Sequence, residues 1–158
     1  MKIGWLEFLR RYLRKPSEYH VIGIELGVAE LYISTFQKKG GELLWVKQDS
    51  LPMEGWQKHL KNYVAQESLT NTACNLVLSI AKYQMLQLDK PAVAESELHQ
   101  ALQWSVKEQF PSENELIFDF FDHPASLANA PKINVVALEK NEIQNICEGI
   151  LQAGLELN

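Results

Sequence analysis

The sequence is poor in cysteine, and neither of its two cysteines lies in a recognisable site. Cys74 and Cys147 are not part of a Cys-x-x-Cys pair, and neither has a histidine nearby. This spacing argues against zinc-ribbon and thioredoxin-type redox sites, which need closely spaced ligands. It predicts two reduced thiols in the core of a cytosolic protein.

Long apolar runs are also absent. No stretch reaches the roughly 18 to 20 consecutive apolar residues of a transmembrane helix. The N-terminus has neither the apolar stretch nor the small-residue cleavage site of a signal peptide. With 46% apolar and 22% charged residues, the composition is that of a globular protein with its own core. The predicted location is cytoplasmic.

Positive charge is scarce outside the first residues. The net charge is −5, but residues 1–16 carry +4, so the remainder carries −9. An acidic body repels the phosphate backbone of DNA and RNA. Nucleic acid is therefore excluded as a partner.

Catalytic and metal-binding motifs are missing as well. The four histidines show no metal-ligand spacing, and no Walker loop, Gly-x-Gly-x-x-Gly or Gly-x-Ser-x-Gly pattern is present. Asp119 and Asp122 lie three apart on a predicted strand, so their side chains face opposite sides and make a poor acid–base pair. We therefore expect a binding protein that is not an enzyme and has no metal.

The N-terminus does contain an amphipathic pattern. Its apolar residues fall at helical spacing, basic residues occupy the other face, and Pro16 ends the pattern. This predicts a helix over residues 1–16, which can lie on an acidic membrane surface or pack on its own domain or a neighbouring copy. The predicted membrane or docking face consists of Trp5, Leu6, Phe8, Leu9 and Leu13.

Two apolar runs, 21–26 and 31–36, follow and are separated by a short segment that contains Gly27. The pattern predicts a β-hairpin that opens a sheet. We expect Gly27 to sit where the backbone reverses and to need a positive φ. Glu25 is an acidic residue within an otherwise apolar run.

The rest of the chain divides into two halves. The first continues with a strand at 42–48 after the Gly40-Gly41 turn, a helix at 56–64, a loop at 65–75 and a strand at 75–81. The second has the predicted order β-α-β-β-α, with the last helix capped by Asn141. Its elements are strand 82–89, helix 95–110, strand 115–122, loop 124–131, strand 133–138 and helix 141–153. Its aromatic residues Trp104, Phe118, Phe120 and Phe121 are assigned to core and sheet-face packing, with an exposed partner patch as the alternative.

Glu25-Leu26-Gly27 resembles the first phosphate loop of the PilM family, the actin-like cytoplasmic component of type IV pilus assembly. The family pattern is Asp-Ile-Gly followed by hydroxyl residues, whereas this chain continues with Val28, Ala29 and Glu30. The resemblance therefore implies that Glu25 and Gly27 form a degenerate, inactive phosphate loop. It implies no cofactor, and ATP with magnesium only in a longer protein.

The second half carries more of the resemblance. Glu97-Leu98, Ala101-Leu102-Gln103-Trp104 and Phe110-Pro111 are similar to the family's Glu-Leu, apolar pair before Trp and Pro-terminated helix. Phe118-Asp119-Phe120 and Ala153-Gly154-Leu155 are similar to the strand and helix end that follow. The similarity covers about residues 20–157, and the order and spacing are most similar to the branch that serves mannose-sensitive haemagglutinin (MSHA) pili.

The resemblance implies an α/β, actin-like (ribonuclease-H-like) fold. It implies a partial 1A subdomain over residues 17–82 and a small β-α-β-β-α 1C subdomain over residues 83–158. The rest of 1A and the second lobe would then lie outside this chain.

The function implied by the resemblance is that of a cytoplasmic scaffold at the inner-membrane face. It would bind a PilN-like inner-membrane pilus protein in a groove between 1A and 1C, with Tyr83 and Leu86 as partner contacts. The assembly ATPase is a further candidate partner. The alternative is an actin-like ATP-binding protein whose site is completed by the missing half.

Overall fold

The computed structural model describes residues 19–110, 112–124 and 130–158. The predicted N-terminal helix lies outside these residues, together with its face of Trp5, Leu6, Phe8, Leu9 and Leu13. Most of the predicted 124–131 loop lies outside them too. The described elements are β1 (Val21–Leu26), β2 (Glu30–Lys39), β3 (Glu42–Pro52), α1 (Trp56–Gln66), β4 (Ala73–Leu78), a 3₁₀ turn (Ile80–Lys82), β5 (Gln84–Asp89), α2 (Glu95–Gln109), β6 (Leu116–Asp122), β7 (Lys132–Glu139), α3 (Lys140–Gln152) and β8 (Glu156–Leu157).

The first three strands form an antiparallel meander, which confirms the predicted hairpin and its third strand. They belong to a five-stranded sheet of order β3-β2-β1-β4-β8, in which β4 runs parallel to both β1 and β8. Side chains alternate between the two faces of β1. Ile22, Ile24 and Leu26 are therefore buried, whereas Glu25 points to the opposite face and is exposed. Its charge remains in water.

Two helices cover the buried face of this sheet. Leu60 and Val64 of α1 and Ile150 of α3 lie in one core with the apolar residues of β1 and β2. The helices approach closely at Gly149, where a Cβ atom would lie 2.5 Å from Cη2 of Trp56. Cys74 is buried in the same core, and burial raises the pKa of its thiol to about 11. The predicted core position is confirmed for this thiol but is wrong for Cys147, which is only half-buried.

A second, three-stranded antiparallel sheet has the order β5-β7-β6. Helix α2 covers one of its faces and buries Leu98, Leu102, Val106 and Phe110 against the sheet. Glu95 and Glu97 lie in the first turn of α2, where carboxylates suit the helix dipole. The predicted β-α-β-β-α order of the second half is confirmed.

The end of the chain packs differently from the prediction, which assigned all of residues 83–158 to the second subdomain. Ile146 and Ile150 of α3 join the core of the five-stranded sheet, and β8 pairs with β4 of that sheet. Helix α3 therefore returns the chain to the first unit. It also begins at Lys140, with Glu139 at the N-cap position, so Asn141 lies inside the helix and does not cap it.

In the described ranges, no helix combines the length and the apolar character that a membrane crossing requires.

Candidate functional site

The carboxyl ends of β1 and β4 lie side by side, because the two strands are parallel neighbours. The backbone N–H of Ser79 donates to the carbonyl of Leu26 at 3.1 Å and ties the two ends together. In open α/β sheets, ligands bind at such carboxyl ends. The Glu25–Glu30 turn therefore occupies the place where a phosphate site would be expected.

Gly27 closes this turn on itself. Its N–H donates to the carbonyl of Glu30 at 3.0 Å, and the residue is buried. Gly27 is not among the residues with positive φ, so the expectation of a left-handed conformation is wrong. Glycine is required for another reason: a Cβ atom would lie only 2.6 Å from the Glu30 carbonyl oxygen.

Carboxylates surround the turn. Glu30 accepts hydrogen bonds from the hydroxyls of Tyr32, at 3.0 Å, and Ser50, at 3.2 Å. Glu25 lies opposite Tyr32 in the register of β1 and β2. The pKa of Tyr32 is raised, mainly by its hydrogen bond to Glu30. The charge of Glu30, partial burial and the charge of Glu25 contribute in decreasing order. The face beside the turn is therefore negatively charged.

These residues do not fit the triphosphate of ATP. A phosphate loop needs backbone N–H groups that point at the anion, but the N–H of Gly27 is already bonded to Glu30. Two carboxylates nearby would repel a phosphate. The side chains of Val28 and Ala29 offer no hydroxyl.

A hollow of about 230 Å³ lies between the three-stranded sheet, the 3₁₀ turn that precedes it and the start of α3. Phe110 is buried at its wall, and an ion pair between Lys82 and Glu142, at 3.3 Å, joins the 3₁₀ turn to α3 beside it. The lining comes from both units of the fold: Ala81, Lys82, Tyr83, Gln84, Phe110, Ser112, Leu116, Ala137, Leu138, Glu139 and Glu142.

A larger groove of about 910 Å³ lies between α2 and β6 and shares Phe110, Ser112 and Leu116 with the hollow. Among the described strands β6 pairs with β7 alone, so it is an edge of its sheet. An edge strand beside a groove can hydrogen-bond an extended peptide along its backbone. The remaining lining residues are His99, Gln103, Val106, Lys107, Glu113, Asn114, Glu115, Ile117 and Phe118.

Polar contacts hold the segment between α2 and β6. Glu139 accepts hydrogen bonds from the hydroxyl of Ser112 at 3.0 Å and from the side-chain amide of Asn114 at 2.8 Å. Glu115 pairs with Lys140 at 2.8 Å. This segment forms the rim between the hollow and the groove, and these contacts hold the rim in place.

The two predicted partner contacts lie in different surroundings. Tyr83 lines the hollow beside the 3₁₀ turn. Leu86 lies opposite Val135 in the small sheet and packs, partly buried, against the core under α2. Of the two, only Tyr83 lines the hollow that adjoins the groove, and the binding role of both residues stays a prediction.

Two aromatic residues that were assigned to packing are exposed. Trp104 on α2 is 79% exposed and Phe121 on β6 is 50% exposed, whereas Phe118 and Phe120 pack against the core as predicted. The packing assignment is wrong for the first two. Helical geometry contains the signal for Trp104: at about 100° per residue it lies opposite the buried stripe centred on Leu102.

Comparison with known proteins identifies relatives through structure alone. Neither a family model nor a curated protein sequence matches the chain. The fold matches a chain of the PilM–PilN type IV pilus biogenesis complex, with a TM-score of 0.69 and 17% identity over 89% of this chain and 46% of that one. It also matches the cytoplasmic domain of EpsL, an inner-membrane component of the Vibrio cholerae type II secretion system, with a TM-score of 0.63 and 10% identity over 87% of this chain and 55% of that domain.

A third structure, a Bacteroides thetaiotaomicron protein of actin-like ATPase fold and unknown function, gives a TM-score of 0.47 at 10% identity. The match covers 98% of this chain and 55% of the Bacteroides protein. The chain thus spans about half the length of the structures that it resembles. The predicted α/β fold is confirmed, and it is shared with a chain of the PilM–PilN complex and with the cytoplasmic domain of EpsL.

Proposed function

We propose that the chain is part of a cytoplasmic scaffold at the inner-membrane face of a type IV pilus assembly machine, of the MSHA type. The scaffold binds a cytoplasmic segment of a PilN-like inner-membrane protein and has no catalytic turnover. The observation that carries the proposal is the fold shared with a chain of the PilM–PilN complex over 89% of this chain. The MSHA assignment rests on the order and spacing of the motifs in the second half of the sequence.

The groove supports this function. It extends from the hollow at Tyr83 to the edge of β6, and its walls come from the three-stranded sheet, α2, the 3₁₀ turn and the start of α3. Apolar floor residues, polar rim contacts and an unpaired strand edge are the features that bind short extended peptides. The assembly ATPase is a second candidate partner, and residues 1–16 are the candidate membrane contact.

The proposal can be tested with a fluorescent peptide of the PilN-like protein's cytoplasmic N-terminus. We expect the full chain to bind it, and Tyr83→Ala to weaken binding at least about tenfold because an aromatic anchor leaves the hollow. The measurement is fluorescence anisotropy. Tyr32→Ala is the matched control, because it removes a tyrosine from the other sheet and should leave affinity unchanged.

Leu86→Ala should weaken binding only together with a lower melting temperature, since Leu86 packs against the core. The proposal is wrong if the chain binds no peptide, or if Tyr83→Ala and Tyr32→Ala bind it equally well.

A further inference from the structure

The hairpin of β2 and β3 extends past its neighbour in the five-stranded sheet. Strand β1 begins at Val21, opposite Phe36, so within the described part of the chain the residues of β2 beyond Phe36 pair with β3 alone. Gly40 and Gly41 form the turn, with φ values of 62° and 92°. Two positive φ angles are typical of the type I′ turn of a two-residue hairpin loop. We call the exposed residues 38–46 the hairpin tip.

The hairpin tip presents bare apolar surface on both sides. Leu43, Leu44, Trp45 and Val46 are consecutive and all exposed, and Trp45 is 62% exposed. Successive residues of a strand point to opposite faces, so neither face of the tip is covered by the described residues. Exposed apolar clusters of this kind mark surfaces that meet another molecule or a membrane.

Positive charge accompanies this apolar surface. Lys38 and Lys39 are exposed on the tip, where Glu42 is the acidic residue. Strand β1 begins at the same end of the sheet. The N–H of His20 donates to the carbonyl of Phe36 at 2.8 Å, and Phe36 is the β2 partner of Trp45.

The base of the tip is anchored to the body. Lys47 pairs with Asp49 at 3.0 Å and with Glu67, at the end of α1, at 2.8 Å. Tyr63 of α1 donates a hydrogen bond to Asp49. These contacts tie β3 to α1 directly below the exposed residues, so the tip projects from a fixed base.

We propose that the hairpin tip inserts into the interfacial layer of a membrane with anionic lipids. A flat protein surface would cover one face of a strand, whereas the interfacial layer surrounds an inserted hairpin and covers both. Tryptophan favours this layer, and lysines beside it attract anionic headgroups. The interaction is independent of the peptide groove.

The structure favours lipid over a second copy of the chain as the occupant. Strand β3 is an edge strand and could in principle pair with itself. However, Thr35 pairs with Lys47 and Phe36 with Trp45, so Val46 is a bulge. Bulges interrupt the regular backbone pattern that edge-to-edge pairing needs. The Lys47 ammonium group is also already engaged.

The test is vesicle flotation of the full chain and a tip variant, Leu44→Ser/Trp45→Ser. We expect the full chain to float with vesicles of phosphatidylglycerol and phosphatidylcholine, and less with phosphatidylcholine alone. The tip variant should lose at least about tenfold in partition coefficient, because two apolar anchors are removed. Trp104→Ser is the matched control, since it removes another exposed tryptophan and should float as the unchanged chain does.

Insertion of the tip can be measured directly. In a Trp5→Phe/Trp104→Phe variant, Trp45 and the buried Trp56 are the remaining tryptophans. Brominated lipids should then quench the Trp45 fluorescence, and a further Trp45→Phe change should abolish the quenching.

Three outcomes would overturn the proposal. In the first, no chain floats. In the second, the tip variant floats as well as the unchanged chain, which would assign membrane binding to residues 1–16 alone. In the third, sedimentation equilibrium shows a dimer that the tip substitutions dissociate, and Trp45 is not quenched. A folded circular dichroism spectrum of the variant is required in each case.

Discussion

The two ends of strand β2 turn at glycines but present opposite surfaces. At the Gly27 end, the backbone closes on itself through the hydrogen bond from Gly27 to Glu30, and carboxylates lie outside. At the Gly40-Gly41 end, the turn is open, since a Cβ atom at either glycine would meet no described atom within 4 Å, and apolar side chains project from it. One end is tightly packed and acidic, and the other is open and apolar.

The difference shows that the position of a glycine does not reveal its role. Gly27 is needed because another backbone group lies where its side chain would be, although its φ is ordinary. Gly40 is needed because of its backbone conformation, although the space around it is empty. Only the turn at Gly27 corresponds to the phosphate loop of the PilM family. There the N–H of the glycine is already bonded to the Glu30 carbonyl.

The largest effect is expected from Gly27→Ala. A Cβ atom there would lie 2.6 Å from the Glu30 carbonyl oxygen, so the turn must open or the strands must shift. Overpacking of a buried site typically costs about 1–3 kcal/mol, and we expect the upper part of this range because the neighbour is backbone. Urea unfolding measures the loss.

Gly23→Ala is the matched control in the same strand. A Cβ atom at Gly23 would lie 3.9 Å from its nearest neighbours, on Phe36 and Ser34, which is an ordinary van der Waals distance. We expect a change within about 0.5 kcal/mol. An equal loss of stability in both variants would show that the close approach at Gly27 is not the cause.

A smaller effect is expected from Gly40→Ala. The φ of 62° places a residue with a Cβ atom in the left-handed region, at a cost of about 1–2 kcal/mol in the folded state. Asparagine tolerates this region better, so Gly40→Asn should recover part of the loss in the same urea experiment. Gly27→Asn should be no better than Gly27→Ala. Recovery by asparagine at both positions would contradict the distinction between the two turns.

Much of the fold could be predicted, because the apolar periodicity is strong. Runs such as 21–26, and the stripe of Leu98, Leu102 and Val106, indicate the type and order of the elements directly. The destination of α3 could not be predicted. Its apolar stripe shows that one face is buried, but not which of two cores receives it, since that depends on tertiary packing against α1.

The site was predictable only in part. The binding roles of Tyr83 and Leu86 stay predictions, and Leu86 could not be assigned to a core without the pairing of β5 with β7. The hairpin tip was predicted as an ordinary strand. Its exposure depends on how far β2 and β3 run past β1, and sequence periodicity does not determine that length. The exposure of Trp104, in contrast, follows from helical geometry alone.

The smallest effect is expected from nucleotide. If the Gly27 turn is closed to phosphate, Mg-ATP at about 1 mM should raise the free energy of unfolding by less than about 0.4 kcal/mol, the value for a Kd of about 1 mM. The measurement is urea unfolding with Mg-ATP and with magnesium alone. Stabilisation of about 1.4 kcal/mol or more, which corresponds to a Kd near 0.1 mM, would instead support the ATP-binding alternative.

A charge-removing variant separates the two causes of weak binding. Glu25→Gln/Glu30→Gln removes both carboxylates, while the hydrogen bond from the Gly27 N–H uses the backbone carbonyl of residue 30 and remains. We expect Mg-ATP to stabilise this variant no more than the unchanged chain, because a phosphate needs free N–H groups as well as the absence of negative charge. If nucleotide does stabilise the variant, electrostatic repulsion alone kept it away, and the backbone of the turn still has the capacity to hold a phosphate.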